Sequence, residues 1–141
     1  MGKINIGRLL LGGIVAGIVA DVLGYLVDGL WLAQSWNDGM LALGRSGIGG
    51  TQIVWYDVLG LLGGIAAIWV YAGIRPRFGA GWKTALYAGL AVWFIGTLLP
   101  NVSFMYVPGL FGRRLTLLTT LGGLVEIVVG TIAGAALYKE A

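Results

Sequence analysis

Residues 8–31 read RLLLGGIVAGIVADVLGYLVDGLW. Gly13, Gly17, Asp21, Gly24 and Asp28 recur along this stretch at steps of four, four, three and four. Residues three and four apart share a helix face. The remaining faces are almost all Leu, Ile, Val and Ala. At ~1.5 Å per residue a helix over this stretch is ~36 Å long, enough to cross a hydrocarbon core of ~30 Å. A small and acidic line on an otherwise apolar helix has to be covered, and the rest of the chain supplies the cover.

Composition leads to the same medium. The 141 residues are 58% hydrophobic and only 11% charged, with a mean hydropathy of +0.90. A soluble domain carries about 25% charged residues, so these charges cannot coat a globule of this size. Twenty-six glycines fall mostly inside apolar runs, where small residues let helix backbones approach in lipid. Cys and His are both absent. That removes disulfides, thiol nucleophiles, imidazole and thiolate metal sites and His-based acid–base chemistry. The net charge of +3 comes from basic residues scattered at segment ends, a membrane-topology pattern rather than a nucleic-acid patch. No cofactor, metal or nucleic-acid partner is expected.

Four stretches have the length and apolarity of spans: 8–31, 52–74, 82–100 and 115–137. The opening run also has the shape of a secretory signal, with Ile18-Val19-Ala20 as a cleavage site. It continues to Leu32 and no polar domain follows, so it reads as a retained span. Between spans one and two, Leu32, Trp36, Met40 and Leu43 share a helix face, which predicts a short amphipathic helix at the interface. Gly44 to Gly50 has the glycines of a phosphate loop but neither its Lys-Ser/Thr ending nor a preceding strand. Pro76 and Gly79 predict a turn that ends span two, and Pro100 is expected to close span three. Residues 101–112 read as too broken for a helix, lying at the interface or dipping back against the bundle. The expected fold is all-α: one transmembrane domain over residues 1–141, a four-helix bundle with an interfacial amphipathic helix.

Lys3, Arg8, Arg75, Arg77, Lys83 and Lys139 fall on the side of both termini, against Arg45, Arg113 and Arg114 on the other. The excess predicts cytoplasmic termini. Trp31, Trp36, Trp55 and Tyr106 then mark the outer interface, and Trp69, Tyr71, Trp82 and Tyr138 the inner one.

Asp21, Asp28, Asp57 and Glu126 lie inside the spans. A charge at mid-bilayer costs ~2.5–3.5 kcal/mol on insertion scales, so each acid is expected to face the bundle interior. The glycine lines predict the same faces: Gly13, Gly17 and Gly24 in span one, Gly60 and Gly64 in span two, Gly89 and Gly96 in span three, and Gly123, Gly130 and Gly134 in span four. Depth along the helices pairs Asp21 with Glu126 near mid-membrane and Asp28 with Asp57 nearer the outer face. With no basic partner inside the spans, three solutions are open. The carboxyls are protonated, or capped by Thr97, Thr119, Thr120, Tyr56 or an indole N–H, or they hold a cation between oxygens.

Four segments carry a resemblance: Gly7–Gly17, Trp31–Gly44, Tyr71–Leu90 and Gly122–Glu140. Together they resemble small, uncharacterised four-span membrane proteins of bacteria. The resemblance implies an inner-membrane protein and brings no activity with it. The residues themselves point first to a non-enzymatic accessory or packing subunit, in contact with lipid and with a second copy or a membrane-complex partner. The second reading is a proton- or cation-coupled transporter or channel using the four acids. Acid–base catalysis on a lipid-soluble substrate comes third, because no nucleophile stands beside the carboxylates.

Overall fold

The computed structural model describes residues 3–141. It is helical throughout its ordered elements, and four of its helices are long and apolar enough to cross a membrane. The first comprises α1 (Ile6–Gly24) and a π-helical continuation, Tyr25–Trp31. Asn5 starts it by accepting the Arg8 N–H on Oδ1 at 3.1 Å, the capping bond that a helix N-terminus otherwise lacks. A short helix, α2 (Ala33–Ala42), follows. The second long helix is α3 (Gly50–Phe78). The third runs from Trp82 to Tyr106 as α4 (Trp82–Trp93), a π turn (Phe94–Leu98) and α5 (Leu99–Tyr106). The fourth is α6 (Arg113–Ala135).

Two boundaries differ from the sequence expectation, both at proline. Span three does not close at Pro100. A proline ring in a helix clashes with the carbonyl four residues back and brings no N–H of its own. Here a π turn, with the Leu99 N–H bonded to the Phe94 carbonyl, immediately precedes Pro100, and its wider winding absorbs the proline. The helix therefore continues through residues 101–106, which had read as too broken. Span two likewise passes through Pro76 and ends only at Gly79, whose φ of 82° breaks the helix while its N–H closes on the Arg75 carbonyl at 2.8 Å.

The long helices pack as an up-down bundle. α1 lies between α3 and α6, α4 lies between α6 and α3, and α3 touches α6 across the middle. The first helix and the third are the separated diagonal. Glycine sets how close α1 comes to its neighbours. A Cβ at Gly64 would meet the backbone of Gly13 and Gly17, and a Cβ at Gly13 or Gly17 would meet the backbone of Ile65 or Leu61 at 2.6 Å. On the other side Gly12 and Gly134 abut through their carbonyls, and Gly130 sits on the Ala16 carbonyl. Gly89 approaches the Val128 backbone, and Gly123 approaches Thr97. Gly96 does not take the packing role expected of it: it is exposed and has open space beside it.

The core is small and lies toward the end that carries the termini. Leu9, Ala16, Ile68, Tyr71, Ala72, Ala85, Ala88, Ala135 and Tyr138 form it. The Ala141 N–H reaches the Lys3 carbonyl at 3.1 Å. Outside this core the surface is apolar. Ile14, Ile18, Val22, Leu59, Leu62, Trp69, Ile95, Leu121 and Val125 are all 44% or more exposed. Water would not be tolerated around such a continuous apolar belt. Lipid would, and the chain is a multi-pass membrane protein.

Candidate functional site: the intramembrane carboxyls

The π turn after Gly24 carries Asp28 between α2 and α6. Its Oδ1 accepts the Trp36 indole N–H at 2.9 Å and the Thr119 hydroxyl at 2.7 Å. Each donor belongs to a different element, so this one carboxylate ties the first long helix to α2 and α6. Trp36 is in turn held by an edge-on contact with Phe111, ring centroids 5.1 Å apart. The amphipathic helix thus packs onto the bundle: Leu32 is buried, and Gly39 lies against Phe111 and Leu115. Of the expected face, only Leu43 is left exposed.

Glu126 is 6% exposed on α6. Its Oε2 lies 3.3 Å from where a Cβ at Gly24 would stand, and Oε1 is the same distance from a Cβ at Gly122. The two missing side chains leave the slot that the carboxyl fills. The Tyr56 ring edge reaches the same place, 3.6 Å from the Gly24 position. Oε1 is buried and has no hydrogen-bond partner.

Asp21 turns toward α3 rather than toward α6. Its Oδ1 occupies the space that a Cβ at Gly60 would take, so Gly60 serves as the seat of a carboxyl. The expected pairing of Asp21 with Glu126 becomes an arrangement on two sides of the Asp21–Gly24 turn. Asp57 departs furthest from expectation. It is exposed on α3, as is every residue from Gly50 to Leu59. The physical reason is divergence of the helices. α3 hugs α1 at the glycine crossing but does not pack along the π-helical continuation, so the outer third of α3 is left uncovered. Asp28 and Asp57 therefore do not face each other across a closed interface. Tyr56, half-exposed, stands among all four carboxyl groups.

A second polar chain supports α6. Trp93 Nε1 donates to the Thr120 carbonyl at 2.9 Å, Asn101 Nδ2 donates to Thr120 Oγ1 at 2.9 Å, and Thr120 Oγ1 donates to the Thr116 carbonyl at 2.6 Å. The Asn101 bond escaped sequence reading because residues 101–106 had not been read as helix. A cavity of about 60 Å³ lies at this end, lined by Trp36, Asn101, Phe111, Thr116 and Thr119 among others.

At the opposite end, Arg75 pairs with Glu140 at 3.5 Å and stacks over the Tyr138 ring at 5.5 Å. Tyr71 meets Tyr138 edge-on and accepts the Gly81 N–H at 3.2 Å. This cluster fastens the chain's end to the turn between α3 and α4.

Among the described residues no three acidic side chains converge closely enough to hold one metal ion. Chemically, the site offers one hydrogen-bonded carboxylate, one enclosed carboxyl without a donor, and two carboxyls on the α3 side. Comparison with known protein families, curated proteins and solved structures finds no match to this chain.

Proposed function

We propose that this chain is a non-enzymatic subunit of a bacterial inner-membrane assembly, with both termini in the cytoplasm. The observation that carries the reading is the bare outer third of α3. Among the described residues every position from Gly50 to Leu59 is exposed, yet this stretch bears Asp57 about 10 Å along the helix axis from Gly50, at ~1.5 Å per residue. An ionisable group within a span is normally enclosed by protein or faces water. A second membrane-embedded polypeptide seated on this face would enclose Asp57, Tyr56 and Trp55. The excess of basic residues at the terminal end supports cytoplasmic termini. The resemblance to small four-span bacterial membrane proteins supports the location.

The test is purification in lipid nanodiscs followed by native mass spectrometry. A homo-oligomer or a stoichiometric partner that is lost on Asp57→Leu supports the reading. A stable monomer without a partner contradicts it. A second reading, proton handling, is favoured by one specific observation, the enclosed Glu126 carboxyl.

A further inference from the structure

We propose that Glu126 is a reversible proton-binding site inside the bundle, connected to the outer end of the molecule through Asp28 and Thr119. This inference is independent of the assembly reading.

A cluster of acids alone says nothing about a ligand. Here a second observation does: Glu126 is 94% buried by its 6% exposure, and Oε1 has no partner. A buried polar atom without a partner carries its full desolvation cost. The neighbours cannot relieve it as an anion. The π turn presents Asp28, α1 presents Asp21, and α3 presents Tyr56 with Asp57 beyond it. From the third long helix Thr97 lies beside Gly123. On α6 itself Gly122, Gly123 and Gly130 share its face, and its direct neighbours are Val125 and Ile127. No Lys or Arg lies within the sequence of these spans near this depth. The missing counter-charge is therefore met by a proton on the carboxyl itself.

Asp28 makes the contrast. Its Oδ1 has two donors, the Trp36 indole and the Thr119 hydroxyl, where Glu126 has none. Asp28 stands four residues beyond Gly24, on the outer side of the place where Glu126 sits. Glu126 leans toward Gly122, the outer direction along α6. Thr119 lines the 60 Å³ cavity at the outer end, whose walls are mostly apolar, with Asn101, Thr116 and Thr119 as its polar residues besides the Trp36 indole. When the proton leaves, the Glu126 O–H bond breaks and an O–H bond forms on the Asp28 carboxylate or on water. One charge moves, and no oxidant or reductant takes part. The winding at this position is π-helical, a feature often found where helices carry function.

The experiment reads the proton directly. The chain has two glutamates, Glu126 and Glu140, and Glu140 is ion-paired with Arg75 near the surface. Carboxyl-¹³C glutamate labelling on a Glu140→Gln background therefore isolates Glu126 in the infrared spectrum. In liposomes the expected result is a labelled protonated-carboxyl band that disappears reversibly as pH is raised and shifts on Thr119→Val. A labelled band that stays unchanged across the titration would make Glu126 inert helix glue and overturn the proposal. So would a labelled carboxylate signal at every pH. Dicyclohexylcarbodiimide gives an independent readout, since it adds across the O–H of a protonated carboxyl in an apolar site. An N-acylurea adduct on Glu126 is expected. Adducts confined to Glu140 or the aspartates would overturn the proposal.

Discussion

The Thr119 hydroxyl donates to the Asp28 carboxylate at 2.7 Å, joining residues 91 positions apart in the chain. The bond exists because the first long helix changes winding after Gly24. Together with the Trp36 indole it turns an intramembrane charge into a three-way joint among the first long helix, α2 and α6.

Removing that donor should loosen the joint. Hydrogen bonds between membrane helices average ~0.6 kcal/mol and reach ~1.7. An ionised acceptor places this one at the upper end. Thr119→Val is expected to lower the thermal stability of the purified protein by roughly 1–2 kcal/mol. Thr119→Ser, which keeps the hydroxyl, should stay near the parent. Equal losses in both variants would mean that packing, not the hydroxyl, is what matters at this position.

Adjacent glycines on α3 should respond in opposite ways. A Cβ at Gly64 meets backbone atoms of Gly13 and Gly17, which cannot rotate aside, whereas a Cβ at Gly63 meets nothing within 4 Å. Gly64→Ala should push α1 and α3 apart and cost ~1–3 kcal/mol or more, as overpacking does. Gly63→Ala should be neutral or stabilising by up to ~1 kcal/mol, because alanine restrains the unfolded chain. Unfolding of both variants in the same detergent gives the comparison.

Topology can be read with single cysteines, because the chain has none of its own. Ser46 and Ala141 are both exposed, at opposite ends of the bundle. On intact cells a membrane-impermeant maleimide should label Ser46→Cys at once and Ala141→Cys only after permeabilisation. The reverse pattern would refute cytoplasmic termini.

The Arg75–Glu140 pair should matter little as an ion pair. At 3.5 Å and with both side chains partly exposed, it belongs among pairs worth ~0–1 kcal/mol. Glu140→Gln is expected to change stability by less than ~0.5 kcal/mol, an effect that fades in high salt. Arg75→Ala should cost more, about 1 kcal/mol, because the guanidinium also covers the Tyr138 ring. Thermal unfolding at low and high salt separates the two contributions.

Much of the bundle was legible in the sequence because helix period and apolar length are local properties. The glycine line from Gly13 to Gly24 marked the contact face of α1, and Gly60, Gly64, Gly130 and Gly134 marked the faces that receive it. Gly12 was not read, because it lies one residue off that line and serves the second neighbour, α6. Proline misled twice. Pro76 and Pro100 have a breaker's chemistry, but one sits in a last turn and the other follows a π turn, and neither context shows in residue identity. The acids were legible as intramembrane groups. Their partners were less so, because partner choice depends on helix rotation and splay. A half-turn more or less decides whether Asp28 meets Asp57 or Thr119. The exposure of Asp57 follows from the divergence of α3, which no local pattern encodes.

The most direct measurement is a crystal structure of the protein grown from a lipid phase. Four crossings are predicted, with the Glu126 carboxyl seated against Gly24 and the Asp21 carboxyl seated on Gly60. Fewer crossings, or either carboxyl turned outward among acyl chains, would contradict the account.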